Sequence, residues 1–354
     1  MRLLYGVVGE GMGHAIRSEV VIAHLLAAGH EVRVVASGRA AAHLQARFGA
    51  VTEIWGLTMS YSENEVRRWQ TLARNLRGAV SGWPQNVREY FAIAESFAPD
   101  AVVSDFESFS WLFGRRHRLP VISVDNIQMV DRARHPPEIT GDRRIDFELA
   151  RGIVRTKLPG CAHYVVTTFF FPPVRRRRTT LVPPILRQAI LDAAPEDGDH
   201  LLVYQTAEGN EALPDALRAS GLPCRVYGFR RDLDADQRDG DVLYRPFSEV
   251  GFVEDLRTAR AVLTGGGFTL VSECVHLGKP VLSVPIEGQF EQVMNARWLE
   301  RLGYGMHAED AGPGAVAAFL ERLPDCRAAL AGYERAGNGP ALAAVEAALA
   351  AATA

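Results

Sequence analysis

Short apolar runs alternate with longer amphipathic stretches along nearly the whole chain. That alternation predicts strand–helix units repeated into parallel α/β sheets. Leu3–Val8 reads as a first strand, and Ile16–Ala28 as a helix closed by Gly29. Val32–Ala36 and Val51–Leu57 read as strands, with a long helical region from about Glu63 to Phe97. Ala101–Ser104 and Val121–Val124 are short strands of the buried type, and Tyr164–Thr168 ends the first half. Phe171–Pro184 carries Pro172, Pro173, Pro183 and Pro184 and reads as a linker. The alternation restarts at Leu201–Tyr204 and continues through Arg225–Tyr227, Asp241–Tyr244, Ala261–Thr264 and Val281–Val284. An alanine-rich helix from about Ala341 closes the chain. Two Rossmann-like domains facing each other across a cleft follow, residues 1–178 and 179–340, with a last helix over 341–354. Ligands in such sheets bind beyond the carboxyl ends of the strands, so turns that follow strands are where chemistry is expected.

Composition agrees with two cores. The chain has 354 residues, 47% of them apolar and 23% charged, enough for two domains of ordinary size. A net charge of −3 argues against a general nucleic-acid binder, which needs a basic surplus. Cys161, Cys224, Cys274 and Cys326 have no metal or redox spacing, so reduced thiols in a cytosolic protein are expected. The opening MRLLYGVVGEGMGH stops being apolar at Gly9 and Glu10 and does not read as a signal peptide. No window approaches the roughly 18 consecutive apolar residues of a membrane span. A cytoplasmic protein is therefore expected, with contact to the inner membrane face left open.

The chemistry concentrates in Thr264–Ala296, TGGGFTLVSECVHLGKPVLSVPIEGQFEQVMNA. Gly265, Gly266 and Gly267 follow a short strand and allow a tight turn into a helix whose free N–H groups can face an anion. Thr269 lies in the first turn of that helix. Glu273, eight residues after Gly265, can accept hydrogen bonds from vicinal hydroxyls. The loop after the next strand brings Glu291, Gln292 and Asn295, a polar set suited to sugar hydroxyls. An ordinary βα unit would explain the glycines but not that last cluster. Near the N-terminus, Gly9-Glu10-Gly11-Met12-Gly13-His14 is G-x-G-x-G rather than the dinucleotide pattern G-x-G-x-x-G. The second strand ends in Ser37-Gly38-Arg39, with no acid for a ribose, which weakens a dehydrogenase reading.

These residues resemble the donor signature of GT-B glycosyltransferases, both the UDP-glycosyltransferase superfamily and the lipid II-forming N-acetylglucosaminyltransferase of peptidoglycan synthesis. The match covers the glycine turn, Ser272-Glu273, Gly278-x-Pro280 and Glu291-Gln292-x-x-Asn295-Ala296. Plant-type relatives carry a histidine near the first glycine. Thr264 or Gly265 stands there in this chain, leaving phosphate binding to backbone amides and the helix dipole. The resemblance implies an acceptor-binding N-terminal domain, a nucleotide-sugar-binding C-terminal domain, and a final helix returning to the first. It implies His14 as general base, since an alcohol is a poor nucleophile and an imidazole titrates near working pH. Acceptor or phosphate binding and a helix-cap role are the other readings of His14. Asp105 matches the superfamily's partner aspartate, although that aspartate is not part of the peptidoglycan pattern. Its plain reading is a cap for the helix near Ser108, and Glu107 is the rival carboxylate. Arg245-Pro246-Phe247-Ser248 matches the base-binding turn, where Phe247 would pack on uracil or simply serve the core. Gln205 and Thr206 can reach the phosphates or sugar, and Gly11, Met12 and Gly13 shape the N-terminal loop.

The implied reaction is an inverting, metal-independent transfer from a nucleotide sugar, UDP-linked, to a hydroxyl acceptor, with no cofactor beyond that co-substrate. Small-molecule, lipid-linked and saccharide acceptors all stay open. A UDP-N-acetylglucosamine 2-epimerase is one rival, although that family carries two adjacent acids where Glu273-Cys274 offers one. A non-catalytic nucleotide-sugar-binding partner protein is the other. The acidic turn Asp232–Asp241 lacks the EF-hand glycine and glutamate, with Gln237 and Leu243 in their places. Arg175–Arg178 reads as a solvated basic run, or as ground for an anionic lipid or phosphate-bearing acceptor. Trp55, Met59, Tyr61 and Trp69 could wall an acceptor pocket or pack in the core.

Overall fold

The computed structural model describes residues 1–354 except 10, 57–60, 63–64, 67–83, 206–212, 231–232 and 287, and omits the side chains of 61, 62, 65 and 66. Thr206, Met59, Trp69 and the Tyr61 side chain therefore lie outside the described residues, as does most of the long helical region expected after Glu63.

Buried apolar strands build the first sheet. In chain order the N-terminal elements are β1 (Arg2–Val7), α1 (Met12–Ala27), β2 (Glu31–Ala36), α2 (Gly38–Phe48) and β3 (Val51–Glu53). A short hairpin, β4 (Tyr61–Ser62) and β5 (Glu65–Val66), is followed by α3 over 84–96. Then come β6 (Ala101–Asp105), α4 (Ser108–His117), β7 (Val121–Asp125), α5 (Met129–Arg132), α6 (Pro137–Thr140), α7 (Arg144–Lys157), β8 (His163–Thr167) and β9 (Thr179–Val182). The seven strands run parallel in the order β3-β2-β1-β6-β7-β8-β9.

The second half repeats the plan with α8 (Gln188–Leu191), β10 (Leu201–Tyr204), α9 (Leu213–Ala219), β11 (Cys224–Tyr227), β12 (Gln237–Asp239), β13 (Val242–Arg245) and α10 (Glu249–Arg257). It continues through β14 (Ala261–Thr264), α11 (Phe268–His276), β15 (Val281–Ser283), α12 (Phe290–Arg301), β16 (Gly305–His307), α13 (Pro313–Glu321), α14 (Leu323–Leu330) and α15 (Gly339–Thr353). Its sheet order is β12-β13-β11-β10-β14-β15-β16, parallel except for β12.

Three features differ from the sequence reading. Strand β9 pairs with β8, so the chain stays with the first sheet to Val182, past the 178 boundary and inside the proline-rich stretch. Its prolines flank the pairing residues and so do not interrupt the ladder. Glu65–Val66 is strand, not the start of a helix. Part of the acidic turn, Gln237–Asp239, forms the antiparallel edge strand β12. At the C-terminus, Ala341, Val345, Ala348 and Leu349 of α15 join the core that holds Leu3 and Tyr5 of β1, and α15 packs on β7, β8 and β9. Stacked rings couple the halves, with Phe170 against Trp298 at 4.8 Å and 10° and Phe169 near Phe268 at 6.1 Å. Each sheet reverses strand order beside its central strand, β1/β6 in one and β10/β14 in the other, which is where α/β sheets open a crevice.

Candidate active site

Strand β1 leads through Gly9 and Gly11 into α1, and Gly11 takes φ +78° as its N-cap, a conformation that glycine adopts freely. His14, in the first turn, lies under the end of β6. Its Nδ1 is 2.7 Å from Asp105 Oδ1, with the Asp105 side chain fully buried and the imidazole only slightly exposed. Asp105 also accepts from Arg17 Nη2 at 2.6 Å, Arg17 Nε at 3.0 Å and Ser18 Oγ at 2.9 Å. Four donors fill the acceptor positions of an ionised carboxylate. Burial alone would raise Asp105, but Arg17 and His14 hold it below the ordinary range. Arg17 Nη2 also comes within 3.0 Å of His14 Nδ1. That nitrogen can offer one proton or one lone pair, and the charged oxygen at 2.7 Å claims the proton, leaving the lone pair on Nε2.

Glu107, the rival carboxylate, is occupied elsewhere. It caps α4 by accepting from Phe109 N and Ser110 N, both at 2.6 Å. The cap expected of Asp105 is thus supplied by its neighbour two residues on.

In the C-terminal domain β14 runs into Gly265-Gly266-Gly267 and then α11. Gly266 has φ +85°, and a Cβ there would fall 2.6 Å from Ser283 Oγ and 3.1 Å from the Gln292 carbonyl oxygen. Only glycine fits that bend. Gly267 is the N-cap of α11 and has no side chain to offer, and no acid occupies the helix's first turn. Helix α1 likewise starts without a side-chain cap among the described residues and without an acid in its first turn. The two starts meet: a Cβ on Gly13 would lie 2.4 Å from Thr269 Oγ1. Two helix N-termini with free amides and aligned dipoles therefore converge at the cleft, a setting that favours an anion.

The remaining candidates are engaged in different ways. Glu273 is buried and held by Arg187, with Nε to Oε1 and Nη2 to Oε2 both at 2.8 Å. Burial raises its pKa and Arg187 offsets that only in part. Glu291 Oε1 accepts from Asn126 Nδ2 at 2.7 Å and Asn295 Nδ2 at 3.0 Å. Burial raises Glu291 too, with His14 as the largest opposing influence. Asn295 donates in addition to the Gly266 carbonyl at 3.2 Å, tying α12 to the bend. Gln292 lies in the first turn of α12 rather than in the loop expected from sequence, and it is folded onto the preceding loop, accepting from Ile286 N at 3.1 Å and donating to Gln289 Oε1 at 2.6 Å. Gln205 is buried at the end of β10. Ser248 caps α10 by accepting from Gly251 N at 3.2 Å. Phe247 beside it touches the Phe252 ring, with centroids 6.1 Å apart, but is 64% exposed, so it presents an aromatic face to solvent rather than serving the core. Trp55 is half-buried, its backbone bracketed by the Asn86 amide.

Sequence reasoning missed Arg17, Asn126 and Arg187. Arg17 had a signal, since position i+3 from His14 shares its helix face. Asn126 follows β7, at the strand end where such sheets place function. Arg187 lies just past the prolines and carried no sequence signal.

The profile for "Glycosyl transferase family 1" matches residues 1–324. An uncharacterized glycosyltransferase of Methanosarcina acetivorans is 24% identical over 351 residues, covering 89% of this chain and 88% of that protein. Among solved structures, the glycotransferase of kitacinnamycin superposes with a TM-score of 0.67 at 20% identity, over 99% of this chain and 97% of that one. The Streptomyces sp. SF2575 glycosyltransferase SsfS6, complexed with thymidine diphosphate, gives a TM-score of 0.60 at 18% identity, over 98% and 99%. Matched along most of its length, this two-domain α/β chain of the GT-B type belongs to glycosyl transferase family 1 and is a glycosyltransferase.

Proposed function

We propose that the protein transfers a sugar from a pyrimidine nucleoside diphosphate donor, UDP-linked in the first instance, to an acceptor hydroxyl with inversion at the anomeric carbon. One observation carries this reading: the His14–Asp105 pair lies at the point where the uncapped starts of α1 and α11 meet. The diphosphate sits on the amides of Gly265–Gly267 and the α11 start, Glu273 takes the ribose hydroxyls, and Phe247 covers the base. Glu291 and Gln292 face the sugar once the Gln292 side chain turns from the loop before α12. His14 Nε2 removes the acceptor proton as the oxygen attacks the anomeric carbon from the face opposite the diphosphate. The bond to the diphosphate oxygen breaks in the same step, and its negative charge is met by preorganised amides without a metal. Asp105 holds the imidazole in that tautomer and stabilises its charged form, while Arg17 keeps Asp105 ionised.

The test is product analysis with UDP- and thymidine-diphosphate sugars, with and without hydroxyl acceptors. A β-linked product from an α-linked donor is expected, formed only with acceptor. A retained α linkage, or a C2-epimerised nucleotide sugar made without acceptor, would overturn the proposal.

A further inference from the structure

Helix α7 carries an apolar stripe that nothing among the described residues covers. Ile145, Leu149 and Ile153 recur every four residues, which puts them on one helix face, and they are 79%, 49% and 58% exposed. Two acids flank that face, Asp146 on one side and Glu148 on the other, and Glu148 is paired to Arg151 at 3.0 and 3.1 Å. Arg144, Arg151 and Arg155 border the stripe on one side by the same periodicity. A second element continues it. Between β8 and β9 the chain exposes Phe171 and Val174 immediately before Arg175–Arg178. Asp131 of α5 clamps the two together, facing Arg151 Nε at 3.2 Å and Arg176 Nε at 2.6 Å. Exposed branched and aromatic side chains interleaved with arginines thus form one face of the N-terminal domain, although the chain as a whole carries −3.

We propose that this face docks on an anionic lipid surface. Apolar side chains bordered by cations are the requirement for a helix lying in the headgroup layer, where the apolar residues enter the acyl boundary and the arginines meet phosphate. Charge disfavours a second copy as occupant, since an antiparallel two-fold contact would set the arginine border against itself. The docked surface would also be close to the chemistry. Phe147, on the inner side of α7, packs 5.2 Å from Phe290, the residue before Glu291. The lipid surface would lie about one helix diameter, roughly 10–12 Å, from the helix that carries Glu291. An acceptor presented at a membrane would then reach the cleft without leaving the surface. The inference stands on the exposed face and does not depend on the proposed reaction.

Co-sedimentation of the full chain with vesicles of phosphatidylcholine, with and without phosphatidylglycerol, tests it. Binding is expected only to the anionic vesicles, falling as salt is raised. Ile145→Ser/Leu149→Ser/Ile153→Ser and, separately, Arg144→Gln/Arg155→Gln/Arg175→Gln/Arg177→Gln should each weaken binding about tenfold or more. All seven changes are at exposed positions, so donor binding in the same preparations should be unchanged. Wild-type protein that stays in the supernatant with phosphatidylglycerol vesicles would overturn the proposal. So would binding that survives both variants. Self-association of the wild type, abolished by the serine variant and without vesicle binding, would assign the stripe to a second copy and likewise overturn it.

Discussion

Asn126 and Glu291 meet across the cleft, Nδ2 to Oε1 at 2.7 Å. Asn126 Oδ1 in turn accepts from Arg17 Nη1 at 2.8 Å. A hydrogen-bonded chain therefore runs from Asp105 through Arg17, Asn126, Glu291 and Asn295 to the carbonyl of Gly266. The carboxylate beside the candidate base and the glycine bend of the donor side are coupled by side chains from both domains. Asn126→Ala cuts this chain and removes a partner from two charged groups, each such bond contributing about 1.5–3 kcal/mol. Steady-state kinetics should show turnover falling by about 10- to 100-fold. A wild-type turnover in that variant would remove the coupling from the mechanism.

His14→Ala should leave donor affinity intact while slowing transfer by about 10² or more, the usual cost of losing a general base. Calorimetry and initial rates separate the two effects. Asp105→Asn should slow transfer as well, and it should also destabilise the fold because Arg17 is left as a buried charge without its carboxylate. Asp105 is held below its unfolded pKa, so its stabilising contribution is present above that unfolded value and is lost as pH falls through the folded one. The acid limb of the stability curve should accordingly be shallower in Asp105→Asn, as followed by denaturant unfolding across pH.

Glu273 and Arg187 form a buried pair whose members should fail in different ways. Glu273→Ala should weaken nucleotide binding by calorimetry, and unchanged affinity would refute the ribose role. Arg187→Met should chiefly lower stability, by about 3–5 kcal/mol, because it strands a buried carboxylate.

Phe247 is exposed while the turn beneath it is fastened by Arg245 Nη1 to Asp255 Oδ2 at 2.6 Å and by the Ser248 cap. Phe247→Ala should cost about 1–3 kcal/mol of nucleotide affinity, the range of a base–aromatic stack, with the melting temperature of the free protein barely moved. A lowered melting temperature with unchanged affinity would make Phe247 structural.

Lys279 is buried in the Gly278-x-Pro280 step and donates to the Glu196 carbonyl at 2.5 Å and the Ala259 carbonyl at 2.9 Å. Burial lowers its pKa from 10.5 to about 8. Below pH 8 the folded protein bears the full penalty of a buried ammonium. As pH rises from about 8 toward 10.5 the folded state sheds that proton while the unfolded chain keeps it, so stability should climb. The rise should be on the order of 3 kcal/mol and should be absent in Lys279→Met, as read from urea midpoints across that range.

Strands and helices were legible because their signals are local. The period of apolar positions marks β1, β2, β6, β7, β10 and β14, and glycine at a strand end marks a turn that only glycine can make, as Gly266 does at φ +85°. Helix ends were less legible: α1 begins at Met12 rather than Ile16, because its first turn is glycine and histidine and carries no apolar stripe. Strand β9 was hidden inside a proline-rich stretch, since its partner β8 is what makes Thr179–Val182 extended.

The candidate site divides the same way. Residue order nominates the glycine bends, Glu273 and Glu291, because they follow strand ends in one short segment, and the family resemblance adds His14 and Asp105. Which carboxylate faces His14, and what holds Glu273, depended on folding. Asp105 ends β6 and Glu107 is the N-cap of α4 two positions on, and the turn between them, with Phe106 at φ +52°, sends one to Arg17 and the other to the start of α4. Arg187 reaches Glu273 across 86 positions of chain, and Asn126 reaches Glu291 across 165. Contacts at such separations leave no periodic trace in a sequence, since they arise only when two sheets have packed and brought their strand ends together.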